Sequence, residues 1–209
     1  MPEGEDSRRD DQLLRAFRRG DATALGTLIG RHQRALHGYL QAMCGSRTEA
    51  DDLFQETWRR VIRNPRSFRG GAFNAWLWRI ARNLLVDRLR RRRPSVSLDD
   101  VTEAGTAFAD LTPSTEPGPA ALLEAAEIGQ AVAAAVRRLS PDQRDVFLLR
   151  TQADLTFAEI AKLRRVPLNT ALGRMHYAMQ RLRRELGGLY AALTGAAADA
   201  EQAGRETKP

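Results

Sequence analysis

The sequence predicts an all-α protein built from two small helical domains and a linker. Apolar residues recur at three- and four-residue spacing over several long segments, and no run of strand length alternates between apolar and polar residues. Segment 94–120 lacks this period and is rich in proline, serine, threonine and acidic residues, which is typical of a flexible linker. Helical domains are therefore expected at 11–93 and 121–188.

The first domain is predicted to begin with two helices. An apolar segment starts at Leu13 and is interrupted at Gly20. Asp21 then offers a carboxylate that can accept hydrogen bonds from the free N–H groups of a second helix, and Gly45 ends that helix. The apolar positions of this second helix share one face: Leu25, Leu28, Ile29, Leu36, Tyr39, Leu40 and Met43.

Two further helices complete the first domain. Ser46 and Glu49 form a capping-box pattern that starts a helix over about 47–62, and Asn64-Pro65 ends it. After a loop at 66–71, a fourth apolar period runs into a cluster of arginines. Its apolar positions are Phe73, Trp76, Leu77, Ile80, Ala81, Leu84, Leu85 and Leu89.

The tryptophans of this fourth helix are expected in different environments. Trp76 shares its spacing with Ile80 and Leu84, so it is predicted to belong to the core. Trp78 lies off this stripe and is predicted to be more exposed. Stacking of Trp76 on DNA bases stays open as the alternative to burial.

The second domain is predicted to open with two helices. The first is alanine-rich and covers about 121–138. Ser140 followed by Pro141 is a helix-start signal, because serine caps free N–H groups and proline fits the first helical position. The resulting helix is expected to end near Thr151.

A helix-turn-helix pattern follows. Thr156 and Glu159 form a second capping box, and Pro167 fits the opening turn of the next helix. Gly187-Gly188 is expected to end that helix, because glycine disfavours a helix interior. The tail at 189–209 is accordingly expected to have little structure.

The last helix of this pattern is predicted to read DNA. Its inward face is predicted to hold Leu168, Leu172, Met175, Met179, Leu182 and Leu186. On the opposite face, Asn169, Thr170 and Arg174 are expected to read base edges, and Arg181 and Arg184 to contact phosphates. An ordinary amphipathic hairpin with solvated arginines is the alternative.

Composition agrees with a polyanionic partner. The 209 residues contain 33 Lys and Arg against 26 Asp and Glu, which leaves a net charge of +7. Cys44 is the single cysteine, which excludes an intrachain disulfide and fits a reducing compartment. No apolar run approaches the length of a membrane span, and the N-terminus lacks a signal-peptide core. We therefore expect a cytoplasmic protein with no membrane insertion.

Enzymatic functions find little support in the sequence. The three histidines lack metalloprotease spacing, and neither a phosphate-binding glycine loop nor a serine elbow is present. Asp51, Asp52 and Glu56 allow a weak alternative, a Mg²⁺-dependent nuclease. The sequence therefore predicts a protein that is not an enzyme, needs no cofactor and binds no metal. A dimeric regulator that binds duplex DNA is the main alternative, although it leaves the acidic residues of the first domain unexplained.

Four motifs in a fixed order carry a family resemblance. They are DDLFQETW at 51–58, FRGGAFNAWLWRIARN at 68–83, LSPDQRDVF at 139–147 and the helix-turn-helix at 156–186. Together they resemble bacterial sigma factors of the extracytoplasmic-function type, group IV of the sigma-70 family, over residues 11–186. The resemblance implies a protein whose σ2 and σ4 domains bind core RNA polymerase, recognise the −10 and −35 promoter elements and open the DNA. It also allows control by an anti-sigma factor.

The resemblance assigns a polymerase-binding role to the third helix. Residues spaced by four lie next to one another on a helix, which forms a compact strip of acidic and amide side chains. In the resembled family this segment docks on a helical coiled coil of the largest polymerase subunit. The implied core-polymerase-binding residues are Asp51, Asp52, Leu53, Gln55 and Glu56. The alternative is that the carboxylates only complement the helix dipole.

The resemblance also assigns the two promoter-reading surfaces. In the family, the loop before the fourth helix captures a base extruded from the −10 element. This implies a pocket region of Arg69, Gly70, Asn74 and Asn83, with Arg79, Arg82 and Arg88 as backbone contacts. The implied −35 surface consists of the five residues of the last helix that are predicted to read DNA, Asn169, Thr170, Arg174, Arg181 and Arg184. Arg165 stands where the family commonly has glycine, so the usual promoter consensus is not assumed.

Overall fold

The computed structural model describes residues 3–92 and 119–206, which contain eight α-helices, one 3-10 helix and no β-strand. The predicted all-α class is confirmed. The first domain contains α1 (Glu3–Arg18), α2 (Ala22–Cys44), α3 (Arg47–Arg63), a 3-10 turn (Pro65–Ser67) and α4 (Phe73–Arg92). The second contains α5 (Pro119–Arg137), α6 (Pro141–Thr151), α7 (Phe157–Arg164) and α8 (Leu168–Glu206). Most of the predicted linker lies outside the described residues.

The predicted starts of α2 and α3 are confirmed by their capping bonds, whereas α1 begins at Glu3, ahead of the apolar segment predicted from Leu13. The Asp21 side chain accepts hydrogen bonds from the backbone N–H groups of Thr23 and Ala24, at 2.9 and 3.3 Å. The Ser46 hydroxyl accepts one from the Glu49 N–H at 3.4 Å. Gly45 ends α2 at φ 73°, in the left-handed region that glycine adopts without strain.

The helix starts predicted at Ser140 and Thr156 in the second domain are both complete capping boxes. At Ser140 and at Thr156, the hydroxyl accepts from the backbone three residues on, and the side chain there accepts from the capping residue in return. Arg165 ends α7 at φ 56° and ψ 48°. This left-handed position is strained for a side chain other than glycine or asparagine, which explains the glycine that the family commonly has there.

The expectation of an exposed Trp78 is wrong. Trp76 is 6% exposed and Trp78 is 1% exposed, so both belong to the core. Trp78 packs edge-to-face on Tyr39 of α2, with ring centroids 5.1 Å apart. The sequence stripe missed Trp78 because α4 is covered on more than one side.

The inward face of α8 is rotated from the predicted one. Ala171 and Ala178 are fully buried, whereas Leu168 and Leu172 are 47% and 41% exposed. Helices α5, α6 and α7 all pack on α8. Leu182 of the predicted set is buried and Met175 and Leu186 pack on the core, so the predicted face is wrong at Leu168 and Leu172 and correct at these later positions.

The expected end of α8 at Gly187-Gly188 is also wrong, because the helix continues to Glu206. Each glycine in a helix interior costs about 1 kcal/mol relative to alanine. The alanine-rich sequence that follows favours helix, and extending an existing helix avoids a new nucleation step. Among the described residues, no helix is long and apolar enough to cross a membrane.

The two domains are in contact through the middle of the chain. Helix α2 packs on α5 and α6, and α4 reaches the segment between α6 and α7. The buried apolar residues of both domains form one continuous cluster, which runs from Leu14 to Leu182.

Candidate polymerase and nucleic-acid interface

The acidic strip of α3 is exposed. The Asp51 and Asp52 side chains are 50% and 60% exposed. Asp51 Oδ1 lies 2.6 Å from His37 Nε2, and Asp52 Oδ2 lies 3.9 Å from Arg88 Nη2. The 3.9 Å pair between Asp52 and Arg88 is a weak surface ion pair, so the carboxylate of Asp52 stays available to a basic partner.

Glu56 and Gln55 extend the strip by one turn. Glu56 lies 3.5 Å from both Arg59 and Arg60, and Gln55 accepts a hydrogen bond from Arg59 at 2.9 Å. These contacts are between residues three or four apart on one exposed helix face. A partner cation can therefore displace these arginines at small cost.

Leu53, which belongs to the predicted polymerase-binding set, is buried, unlike the other members of the set. It is only 3% exposed and forms part of the core between α3 and α4. It lines the bottom of a cleft of about 220 Å³ whose rim carries Asp52, Glu56 and Arg88. Leu53 therefore supports the strip from below and does not project towards a partner.

The loop before α4 is held by a residue that the sequence analysis did not select. Arg18, at the end of α1, donates hydrogen bonds to the carbonyl groups of Pro65 and Phe68, the latter at 2.7 Å. Its guanidinium also lies 5.9 Å from the centre of the Phe68 ring. Within the loop, Arg69 and Gly70 are exposed, and Gly70 has a φ of 102°. No short-range sequence signal links Arg18 to a loop some fifty residues away.

We expect Arg18→Ala to loosen this loop. The guanidinium holds carbonyl groups at two points, and charged hydrogen bonds contribute about 1.5–3 kcal/mol each before solvent screening reduces them. Backbone amides in 66–71 should exchange hydrogen roughly tenfold faster than in the unsubstituted chain. Arg19→Ala, at the neighbouring exposed arginine, is the control. Equal exchange in both variants would contradict the anchoring role.

The predicted −10 residues of α4 lie in three different settings. Arg79 and Asn83 are exposed and four residues apart, so they share the solvent-facing side of the helix. Arg88 is half-buried beside Asp52. Asn74 and Arg82 instead contact the second domain, where Asn74 donates to the carbonyl of Ala153 and Arg82 pairs with Asp145. The structure therefore does not bring all the predicted −10 residues onto one free surface.

Arg174, predicted to read bases, is engaged within its own domain. It pairs with Asp142 at 2.5 Å, and Arg164 pairs with the same carboxylate at 2.6 Å. Partial burial is the largest influence on the pKa of Asp142 and would raise it. The two arginines outweigh burial and hold that pKa below its usual range. Arg174 therefore lies at the edge of the predicted DNA-reading face of α8 and also forms an ion pair with α6.

The other predicted −35 residues lie at different depths. Asn169 is exposed, Thr170 is half-buried and Arg184 is exposed. Arg181 lies 3.3 Å from Glu185, which also pairs with Arg138 at 2.9 Å. This leaves Asn169 and Arg184 as the members most accessible to DNA.

The exposed face of α8 contains residues that the sequence analysis missed. Leu172, His176 and Tyr177 are exposed, and Asn169 lies on the same side. The signal was present, since Leu172 and His176 follow Asn169 at spacings of three and seven. This spacing was overlooked because Leu172 was assigned to the core.

Metal binding has no obvious site in the part of the chain that is described. No cluster of three histidine, cysteine or acidic side chains is positioned to hold an ion there. The two half-buried histidines of α2 each contact a carboxylate, His32 with Asp10 and His37 with Asp51. Cys44 is buried.

Comparison with known families gives two matches in the order of the two domains. Residues 28–95 match Sigma-70 region 2, and residues 129–185 match Sigma-70 region 4. The first match covers the acidic strip and the loop before α4. The second covers the helix-turn-helix.

Individual relatives agree. The chain is 32% identical over 189 residues to the ECF RNA polymerase sigma factor SigM of Mycobacterium tuberculosis, which covers 89% of each chain. It is 27% identical to SigW of Bacillus subtilis, over 84% of this chain and 96% of SigW. It is 30% identical to SigE of Mycolicibacterium smegmatis, over 78% of this chain and 63% of SigE.

Solved structures show the same fold. The sigma factor RpoE from Bartonella quintana, in complex with the anti-sigma factor NepR, matches with a TM-score of 0.60 and 21% identity, over 78% of this chain and 96% of RpoE. CnrH, in complex with the cytosolic domain of CnrY, matches with a TM-score of 0.57 and 24% identity, over 88% of this chain and 97% of CnrH. The chain therefore belongs to the extracytoplasmic-function sigma factors of the sigma-70 family, which direct promoter-specific initiation of transcription.

Proposed function

We propose that this chain is a group IV sigma factor whose two domains divide the work of initiation. Residues 11–93 bind core RNA polymerase, read the −10 element and help to open it, whereas residues 121–188 read the −35 element. The linker at 94–120 connects the two. The observation that carries this proposal is the exposed acidic strip of α3, on the same chain as a separate helix-turn-helix domain. A dimeric DNA-binding regulator has no use for that strip.

The polymerase-binding surface consists of Asp51, Asp52, Gln55 and Glu56. Its carboxylates are exposed or half-exposed and contact only arginine and histidine side chains near the surface, so binding requires little desolvation of buried groups. The cleft beside the strip, with Leu53 at its bottom, gives a basic partner helix a shallow seat. Complementary charge would steer the encounter and fix its orientation.

The −10 surface is centred on the loop held by Arg18 and on the exposed side of α4. Gly70 and Gly71, both with positive φ, let the backbone approach an extruded base closely. Arg69, Arg79 and Arg88 supply positive charge for the phosphates of the separated strand. Both α4 tryptophans are buried, so base stacking on Trp76 has no support from the geometry.

The −35 surface is the exposed face of α8. Asn169 and His176 carry hydrogen-bonding groups for base edges, and Leu172 offers an apolar contact for a thymine methyl group. Thr170 and Arg174 lie on one flank of this face, and Arg181 and Arg184 continue along the helix towards the phosphates. The ion pair with Asp142 fixes the direction of the Arg174 side chain. This arginine then either contacts DNA in that direction or only joins α8 to α6.

We expect Asn169→Ala and Arg184→Ala to weaken DNA binding in different ways. Asn169→Ala should cost about 1–3 kcal/mol at one promoter position and relax the preference there. Arg184→Ala should weaken binding to all sequences alike and reduce the salt slope by about one unit. The measurement is binding of each variant to a set of −35 duplexes at several salt concentrations. Equal loss of preference in both variants would contradict this division of roles.

An anti-sigma factor is the regulatory partner that we propose. RpoE and CnrH, which share this fold, were each solved in complex with another protein, NepR and CnrY respectively. A partner that covered the acidic strip or the face of α8 would block the surfaces proposed for polymerase and promoter DNA. The proposed role is a binding role, with no catalytic step of its own.

Copurification with core RNA polymerase tests the proposal. A tagged chain expressed in its own cells should retain the polymerase subunits, and the purified chain should bind isolated core enzyme in a one-to-one complex. A regulator that acts on DNA alone would bind duplex promoter fragments without polymerase and would leave core enzyme in the flow-through. That outcome would overturn the proposed function.

A further inference from the structure

Two arginines near the N-terminal end of α8 are engaged with carboxylates of α6. Arg164 Nη2 lies 2.6 Å from Asp142 Oδ1, and Arg174 Nη2 lies 2.5 Å from Asp142 Oδ2. Arg164 Nη1 also lies 3.3 Å from Asp145 Oδ2, and the Arg164 side chain is only 7% exposed. The charges of both arginines are therefore largely balanced within the second domain.

Lys162 and Arg165 are two exposed cations at the end of α7 and in the turn that follows it. Among the residues that the structure describes, neither pairs with a carboxylate. The one acidic residue of α7 is Glu159, whose carboxylate accepts hydrogen bonds from the backbone and the hydroxyl of Thr156 at 2.9 and 2.8 Å. The first turn of α8 contains no acidic residue. The positive charge of this turn is thus available to an anionic partner.

Arg165 also occupies a backbone conformation that costs free energy. Its φ of 56° and ψ of 48° are left-handed, and its N–H closes α7 by donating to the carbonyls of Ala161 and Lys162. Glycine adopts this conformation freely, whereas an L side chain brings its Cβ too close to the backbone. Strained residues of this kind cluster at functional sites, where the side chain has a use that outweighs the strain. The exposed and unpaired guanidinium of Arg165 is such a side chain.

The turn lies beside the DNA backbone when α8 enters the major groove. In a helix-turn-helix, the N-terminal residues of the second helix contact base edges and the first helix crosses the backbone. Arg165 stands three residues before the start of α8 at Leu168, and the exposed residues that follow, Leu168, Asn169 and Leu172, carry no charge. Arg181 lies roughly 20 Å further along the helix axis. It is therefore too distant to contact phosphates beside the N-terminal end of α8.

We propose that Arg165, with Lys162 beside it, binds a phosphate group of the −35 duplex and so fixes the depth and direction in which α8 enters the groove. An arginine can donate two parallel hydrogen bonds to a phosphate, and such a contact sets orientation without reading sequence. The strain at Arg165 is then retained because glycine, which would fold more readily in this turn, carries no charge. The proposal deepens the proposed function and rests on it.

Three substitutions separate the charge of Arg165 from its strain. Arg165→Gly removes both, and Arg165→Lys keeps a positive charge in the same left-handed conformation. Arg63→Gln is the control, because it removes an exposed arginine from the last turn of α3 in the first domain and changes the net charge equally. The probe is a short DNA duplex that the unsubstituted chain selects from a pool with a random central sequence.

We expect Arg165→Gly to stabilise the fold and to weaken DNA binding at the same time. Its midpoint of thermal unfolding should rise by roughly 2–5 °C. Its affinity for the duplex should fall about tenfold, and the salt slope should fall by about one unit. Arg165→Lys should lose about threefold in affinity, since lysine keeps the charge but not the paired hydrogen bonds. Arg63→Gln should match the unsubstituted chain. Misfolding cannot explain weaker binding by a more stable chain.

Neutral phosphates locate the contact. Methylphosphonate groups, each of which removes one negative charge, are placed one at a time along both strands of the duplex. For the unsubstituted chain, one position or two adjacent positions near one end of the selected sequence should weaken binding severalfold. For Arg165→Gly, the same positions should have no effect. The proposal is overturned if Arg165→Gly keeps the full sensitivity of the unsubstituted chain at every position, or if it binds the duplex as tightly as Arg63→Gln does.

These measurements also distinguish the anchor from the proposed function. An unsubstituted chain that selects no duplex from the pool has no −35 surface, and this result would refute both. A chain that selects a duplex and supports initiation, but whose Arg165→Gly variant binds as the unsubstituted chain does, would keep the proposed function and lose the anchor.

Discussion

Reversing the charge of Asp52 and Glu56 together is expected to lower the affinity for core RNA polymerase by at least about 100-fold. Like charges placed opposite each other at an interface cost several kcal/mol, and each 1.4 kcal/mol corresponds to a factor of about ten in affinity. Both side chains lie on the rim of the cleft between α3 and α4, away from the core. The measurement is the dissociation constant of Asp52→Arg/Glu56→Arg for core enzyme, with thermal unfolding to establish that the domain stays folded.

A charge reversal elsewhere is the control for this result. Glu127 is exposed on α5 of the second domain, so Glu127→Arg changes the net charge by as much as Asp52→Arg does. We expect Asp52→Arg alone to weaken core binding about tenfold or more, and Glu127→Arg to have little effect. Comparable losses in the two single variants would mean that net charge, and not the strip, governs binding.

Replacement of Trp78 is expected to be the most destabilising single change in the first domain. Trp78→Ala should lower the free energy of unfolding by about 3–5 kcal/mol, because it leaves a large cavity and removes the contact with Tyr39. Urea unfolding followed by circular dichroism measures this loss. Ile62→Ala, at a residue that is 45% exposed on α3, is the control and should cost much less. Similar midpoints for the two variants would contradict the buried position of Trp78.

The helix starts were predictable because their causes are local. Asp21, Ser140 and Thr156 act on N–H groups two or three residues away, and the structure contains each of these capping bonds. The acidic strip of α3 was predictable for a similar reason, since spacing along one helix fixes which side chains are neighbours. The burial of Leu53 was not predictable in this way, because its position between carboxylates does not decide which way it faces.

The contacts between distant segments were not predictable from the sequence. Tyr39 and Asp145 are 106 residues apart, and Arg82 and Asp145 are 63 apart. Nothing in the pattern around Asn74 or Arg82 distinguishes a contact with DNA from one with the second domain. The exposure of Trp78 was predicted wrongly for the same reason. Trp78 packs on Tyr39 beside the contact between the domains, and a single apolar stripe along α4 does not reveal that contact.

The buried face of α8 differs from the one that the leucine spacing predicts. Leu168 and Leu172 fit a helical stripe with Met175, but Ala171 and Ala178 occupy the buried side. Small residues permit close approach between helices, and Ala171 and Ala178 share the buried side with Leu182. The solvent-facing side was then left with Leu172 and His176, which are added to the proposed −35 surface.

Initiation by reconstituted holoenzyme tests the central claim most directly. Core RNA polymerase is incubated with genomic DNA and nucleotides, with and without this chain, and the 5′ ends of the transcripts are sequenced. We predict a discrete set of start sites that depends on the chain and shares two sequence elements near −10 and −35. Asp52→Arg/Glu56→Arg should abolish this set. Start sites that are unchanged by adding the chain would contradict the account.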